Sequence, residues 1–132
     1  VPNSHIEAIM RRDMGAAKAS AEHFGAPCWC DSVEKLLAMD IDAVYIATPP
    51  GMHYEQAMQC LKAGKAVYLE KPFARNYTEA KEITEAFKEA GVPLYVGHYR
   101  RALPRFLKIR EMLDEECIGK PLFIEFELNG VF

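Results

Sequence analysis

Apolar and polar positions along the chain alternate between two patterns. Short, nearly continuous apolar runs are followed by stretches in which apolar residues recur three and four apart, as on a helix buried along one face. Residues 6–10 read as a short strand. Asp13 then caps a helix whose inner face is Ala17, Ala21 and Phe24, and Gly25 stops it. A second strand is predicted at Pro27-Cys28-Trp29-Cys30. Asp31 and Glu34 stand at capping-box spacing ahead of a helix that buries Val33, Leu36 and Leu37. Residues 43–47 are the clearest strand, a continuous apolar run of the kind covered on both faces. Tyr54, Ala57, Met58 and Leu61 mark a helix closed by Gly64. Residues 66–69 form a strand, Ala80, Ile83, Phe87 and Ala90 a helix ended by Gly91, and Leu94-Tyr95-Val96 a fifth strand.

Strands separated by helices of this length mean βαβ units, a parallel sheet and right-handed crossovers. The predicted fold is α/β, with a doubly wound parallel sheet of the Rossmann kind. From Pro104, well placed at a first helical position, a further helix runs to about Cys117 and is closed by Gly119. Residues 122–128 alternate apolar with mixed positions, which predicts an antiparallel strand. That strand would open a second α/β domain with an open, mainly antiparallel sheet. The expected division is therefore 1–98 for the first domain and 99–132 for the start of the second.

Charge narrows the choice of partners. Sixteen Lys+Arg against nineteen Asp+Glu give a net charge of −3, which argues against nucleic acid or a membrane surface recruited by bulk charge. The apolar runs are strand-sized, so no bilayer span is predicted. The first ten residues hold no cationic stretch ahead of an apolar one, so the chain as given shows no secretory signal. Four cysteines form neither a disulfide framework nor a paired zinc pattern. Cys28 and Cys30 share one strand face as small hydrophobes, and no metal site is expected. A reducing, cytoplasmic setting follows as the expectation.

In an open parallel sheet, ligands bind in the crevice beyond the carboxyl ends of the strands. The residues at those ends are Arg11 and Arg12, then Thr48-Pro49-Pro50-Gly51, then Glu70-Lys71-Pro72, then Gly97-His98-Tyr99-Arg100-Arg101. Each has a plain structural reading when taken alone. The arginines could be a solvated pair, the proline segments turns, and His98 a hydrogen-bonded structural histidine. Their convergence on one rim favours a site. The eight glycines contain no G-x-G, the loop that cradles pyrophosphate at a helix N-terminus. The chain starts as if at a second strand, so roughly thirty residues carrying a first strand, the glycine loop and a helix are expected before Val1.

Asp42-Ala43-Val44-Tyr45-Ile46-Ala47-Thr48-Pro49, then His53, then Ala63-Gly64-Lys65-Ala66-Val67-Tyr68-Leu69-Glu70-Lys71-Pro72 closely resembles the Gfo/Idh/MocA oxidoreductases. The resemblance continues through Gly97-His98-Tyr99-Arg100-Arg101 and Leu103-Pro104 into Ile118-Gly119. It implies hydride transfer between NAD(P) and the CH–OH group of a sugar, polyol or related alcohol. It also implies that Lys71 is the catalytic residue beside the reacting hydroxyl, where an ammonium lowers the cost of alkoxide character. Thr48, Pro49, His53, Glu70, Pro72 and Arg101 would line the cofactor, and His98 and Tyr99 would join Lys71 around the substrate. A cis Lys71–Pro72 bond and a homo-oligomer built through the second domain's sheet are further implications. The family's usual second-domain histidine or aspartate has no counterpart up to Phe132.

The end of the first strand bears on the cofactor. An NAD enzyme places a carboxylate there to accept hydrogen bonds from the adenine ribose, and this chain has Arg11. A guanidinium suits a 2′-phosphate instead, and Arg12 adds charge or stacks on adenine, so NADP is preferred, with NAD as the alternative. Asp13 could do the acidic job but is better placed as a helix cap. Two other classes compete with the enzyme. A receiver domain would need a magnesium-binding acidic pair, whereas Met10-Arg11-Arg12 and Cys30-Asp31 offer one carboxylate. A non-catalytic dinucleotide sensor on the same fold would have no use for Lys71, and turnover separates it from the enzyme.

Overall fold

The computed structural model describes residues 3–125 and 127. The chain divides into two compact units, one up to Gly97 and one from His98. In the first unit, strands β1 (Ala8–Met10), β2 (Cys28–Cys30), β3 (Ala43–Ile46), β4 (Ala66–Leu69) and β5 (Leu94–Val96) alternate with four helices. These are α1 (Met14–Phe24), α2 (Val33–Leu37), α3 (His53–Lys62) and α4 (Tyr77–Ala90). Every pairing is parallel, β1 with β2, β3 with β4 and β4 with β5, as the alternation predicts. The strands form two ladders, β1–β2 and β3–β4–β5, rather than one continuous sheet.

Local chemistry explains the helix ends. The Asp13 carboxylate accepts the Ala16 N–H at 2.6 Å to start α1, and Gly25 ends it at φ 69°, a conformation that costs glycine little. Ala17 and Ala21 are fully buried, which lets α1 approach its ladder closely. Phe24, expected on the inner face, is instead exposed. It is the last residue before the left-handed turn and packs edge-on against His23. The cap of α2 is Ser32 rather than Asp31, because Asp31 turns to pair with Lys35 Nζ at 2.7 Å while Ser32 Oγ accepts the Lys35 N–H. Val33, Leu36 and Leu37 are only partly buried on this five-residue helix.

The core lies on one face of the β3–β4–β5 ladder. Val44, Ile46, Val67 and Leu69 meet Ala57 and Cys60 of α3 and Ile83 and Phe87 of α4. Burying each large side chain contributes about 1.5–3 kcal/mol before entropy is counted. The opposite face differs from the expectation for residues 43–47. Tyr45, Tyr68 and Tyr95 stand in register there, 60%, 38% and 62% exposed. The apolar run is continuous, yet only its alternate residues are covered.

The second unit holds a 3-10 turn at Tyr99–Ala102 and helix α5 (Pro104–Asp114) with proline in its first turn. The helix ends at Asp114, short of Cys117 and well before Gly119; Glu116 takes φ 53° just past its end, and Gly119 follows at φ 71°. Of the strand expected at 122–128, residues 126 and 128 lie outside the described residues. Residues 122–125 and 127 form no strand; Leu122, Phe123 and Ile124 are exposed, with no strand beside them among the described residues. Among the described residues, no helix is long and apolar enough to cross a membrane.

Candidate active site

The parallel register brings three chain segments out of the sheet side by side. Ile46 pairs with Leu69 and Leu69 with Val96. The ladder extends one step further, with the Glu70 N–H donating to the Ile46 carbonyl at 2.9 Å and the Gly97 N–H to the Leu69 carbonyl at 2.8 Å. Thr48, Glu70-Lys71-Pro72 and Gly97 therefore begin from one edge. At the other ladder, the Arg11 N–H donates to the Cys30 carbonyl at 3.1 Å, so Arg11 stands directly past β1.

The Lys71–Pro72 peptide bond is cis. Lys71 is exposed, and no carboxylate forms an ion pair with its ammonium among the described residues. Its backbone N–H donates to Glu70 Oε2 at 3.0 Å, and Glu70 Oε1 accepts the Tyr45 hydroxyl at 2.8 Å. The Tyr45 hydroxyl first, and then the Lys71 amide, hold the Glu70 carboxyl below the usual carboxylate range, while the same bond pushes the Tyr45 phenol up.

His53 corrects an expectation. It was placed among the cofactor contacts, but it is fully buried and offers no surface to a ligand. Its Nε2 lies 2.8 Å from the Thr48 carbonyl and its Nδ1 3.0 Å from the Pro72 carbonyl. Both partners only accept, so a singly protonated ring donates to one of them and the doubly protonated ring to both. The imidazole thus ties the turn after β3 to the turn after β4. Thr48 is further fixed by its hydroxyl, which donates to Gln56 Oε1 at 2.6 Å from a nearly buried Gln56 on α3. Pro49 and Pro72 are exposed beside these turns.

Arg11 and Arg12 are exposed, and neither pairs with a carboxylate among the described residues; Arg11 Nη1 donates to Ser20 Oγ at 2.9 Å. Asp13, the rival acidic residue, is occupied as the α1 cap. His98, Tyr99 and Arg101 all belong to the second unit, where they are exposed in and beside its 3-10 turn. Sequence reasoning missed Tyr45 and Gln56. A signal for Tyr45 existed: β3, β4 and β5 each carry one tyrosine between aliphatic residues. Gln56 gave none. Among the described residues, no group of three or more His, Cys, Asp or Glu could hold a metal ion.

The family model described as "Oxidoreductase family, NAD-binding Rossmann fold" matches residues 1–98. The chain is 42% identical over 128 residues to "Oxidoreductase P35" of Formosa agariphila, covering 96% of this chain and 40% of that protein. It is 32% identical over 124 residues to a scyllo-inositol 2-dehydrogenase (NAD(+)) of Bacillus subtilis, covering 93% of this chain and 36% of that one. Among solved structures, a 3-ketoreductase from Actinomadura kijaniata in complex with NADP and TDP-benzene superimposes with a TM-score of 0.80 at 31% identity, covering 87% of this chain and 35% of that one. The chain thus spans 40% or less of the length of these relatives. By the match over residues 1–98, it belongs to the Gfo/Idh/MocA family of oxidoreductases with an NAD-binding Rossmann fold.

Proposed function

We propose that the intact protein transfers a hydride between a nicotinamide cofactor, NADP in preference to NAD, and the CH–OH group of a sugar, polyol or related alcohol. The relatives' own descriptions as an inositol dehydrogenase and a ketoreductase support this substrate class. The observation that carries the reading is Lys71, an exposed ammonium without a carboxylate partner among the described residues, at the end of β4. The turn that bears it is fixed on both sides, through Glu70 before it and the Pro72 carbonyl after it.

The residues present fit a phosphorylated dinucleotide, since Arg11 and Arg12 leave two guanidiniums exposed where a 2′-phosphate would need charge. A bound nicotinamide would supply the hydride acceptor for oxidation of the alcohol carbon and the hydride donor for the reverse reaction. Lys71 manages the other half of the balance: as amine it accepts the hydroxyl proton during oxidation, and as ammonium it returns that proton during reduction. Thr48, Pro49, Glu70 and Pro72, all in the first unit, form the cofactor side of this reading; the roles of Arg101 toward the cofactor and of His98 and Tyr99 toward the substrate are carried by the family resemblance alone. His53 acts as the brace between the two turns. Self-association through the second unit belongs to the same reading. Four free thiols support a reducing compartment such as the cytoplasm.

The test is turnover of the full-length protein with NADP or NAD against a panel of inositols, aldoses and anhydro-sugars, read as reduced nicotinamide. Lys71→Ala should lower turnover by about 10²–10⁴-fold, the usual contribution of a positioned acid–base group, while the cofactor Kd moves little. Turnover within a few-fold of the parent would remove Lys71 from the chemistry.

A further inference from the structure

The Glu70 carboxylate is held from three directions, and only one of the holding groups belongs to its own strand. Its Oε2 accepts the Lys71 N–H at 3.0 Å. Its Oε1 accepts the Tyr45 hydroxyl, which arrives from the neighbouring strand β3 at 2.8 Å. From the side of β5, Gly97 is so close that a Cβ built on it would lie 3.2 Å from Oε2 and 3.4 Å from Oε1. Tyr45 is itself steadied by Tyr68, whose ring centroid is 5.5 Å away. Most of the Tyr45 ring faces outward, so its hydroxyl is the part that reaches the strand ends.

We infer that Tyr45 is a positioning residue for Lys71, acting through Glu70. The hydroxyl stops the Glu70 carboxylate from swinging into solvent and keeps Oε2 on the Lys71 amide. The amide fixes the peptide plane from which the Lys71 side chain departs. Gly97 leaves room for the carboxylate in that one place, since a larger residue would press on it. The charge supports the arrangement: an ionised Glu70 is the better acceptor for both donors, and both donors favour its ionised form. This inference rests on the reading of Lys71 as the acid–base group, because only then does its aim affect the rate.

Tyr45→Phe removes the hydroxyl and leaves the ring, so the fold is retained. In the full-length protein, exchange of the Lys71 amide hydrogen should accelerate about tenfold, since that N–H loses a fixed acceptor. With the best substrate of the panel, kcat should fall about tenfold with KM nearly unchanged, the signature of a misaimed group rather than lost binding. Glu70→Gln should show a similar loss, and Tyr45→Phe added to Glu70→Gln should cost little more, because the hydroxyl acts through the carboxylate. Losses that multiply in the double variant, or a Lys71 amide that exchanges at the parent rate in Tyr45→Phe, would overturn the inference. If Lys71→Ala keeps full turnover, the catalytic reading of Lys71 fails. If Lys71→Ala is inactive while Tyr45→Phe matches the parent, only the role of Tyr45 fails.

Discussion

His53 offers the sharpest test of how the two turns are joined. Replacing it with alanine removes a fully buried ring and both of its carbonyl contacts. At about 24 cal/mol per Å³, a cavity of roughly 60 Å³ left by the ring costs about 1.5 kcal/mol. The hydrogen bond that a singly protonated ring donates costs about 1–2 kcal/mol to lose, since the carbonyl is left buried. The expected loss is about 2.5–3.5 kcal/mol, a large part of the ~5–15 kcal/mol that holds an ordinary domain. His53→Leu separates the parts, since it refills the space and removes only the hydrogen bonding, for an expected loss of about 1–2 kcal/mol. The assay is urea unfolding of the cofactor-free, full-length protein, with the midpoint and slope fitted together. A His53→Leu variant within about 0.5 kcal/mol of the parent would refute the bracing argument, because such a value is typical of an unengaged surface position.

Two further outcomes follow from the strand ends. Arg11→Ala should weaken NADP binding by about 1.5–3 kcal/mol, the value of a charge-assisted contact, and leave NAD nearly unchanged, as isothermal titration of the full-length protein would show. Tighter NAD binding in the parent, indifferent to Arg11, would mean that the end of β1 reads another group. For Glu70, the carboxyl is held below the usual range in the folded protein, so its stabilising contribution is complete above that range and is lost as the pH falls through the lowered folded value. Melting temperatures should therefore drop more steeply on acidification in the parent than in Glu70→Gln, and parallel curves would contradict the bonding at Tyr45 and Lys71.

The backbone plan was legible because it is written in period and punctuation. The aliphatic residues of β3, β4 and β5 and the glycines at 25, 64 and 91 mark where elements run and stop, whereas the last helix ends at Asp114, before Gly119. The glycines at 25, 64, 91 and 119 all adopt positive φ. Lys71 could be placed because a strand end in a parallel sheet has a fixed meaning and because the E-K-P segment resembles a known family. The burial of β3 was misjudged because a tyrosine satisfies an apolar pattern whether its ring is covered or not. His53 was misjudged for a different reason. A histidine four residues after a proline turn carries no mark of whether its ring points into the crevice or under it. Only the positions of the Thr48 and Pro72 carbonyls decide that, and they come from two segments 24 residues apart in sequence. The cap of α2 shows the same limit on a smaller scale, since Asp31 and Ser32 are both good caps and the choice turned on where Lys35 lay.

The two ladders are supported unequally. A pair of three-residue strands is marginal by itself and relies on helix packing, whereas the three-stranded ladder has a core of its own. The chain's single tryptophan, Trp29, sits on the weaker pair, while the tyrosine row spans the stronger one. The two chromophores thus report on different halves of the same Rossmann unit. Indole emission reports on the β1–β2 pair, while Tyr45, Tyr68 and Tyr95 report on the outer face of the β3–β4–β5 ladder, opposite its core.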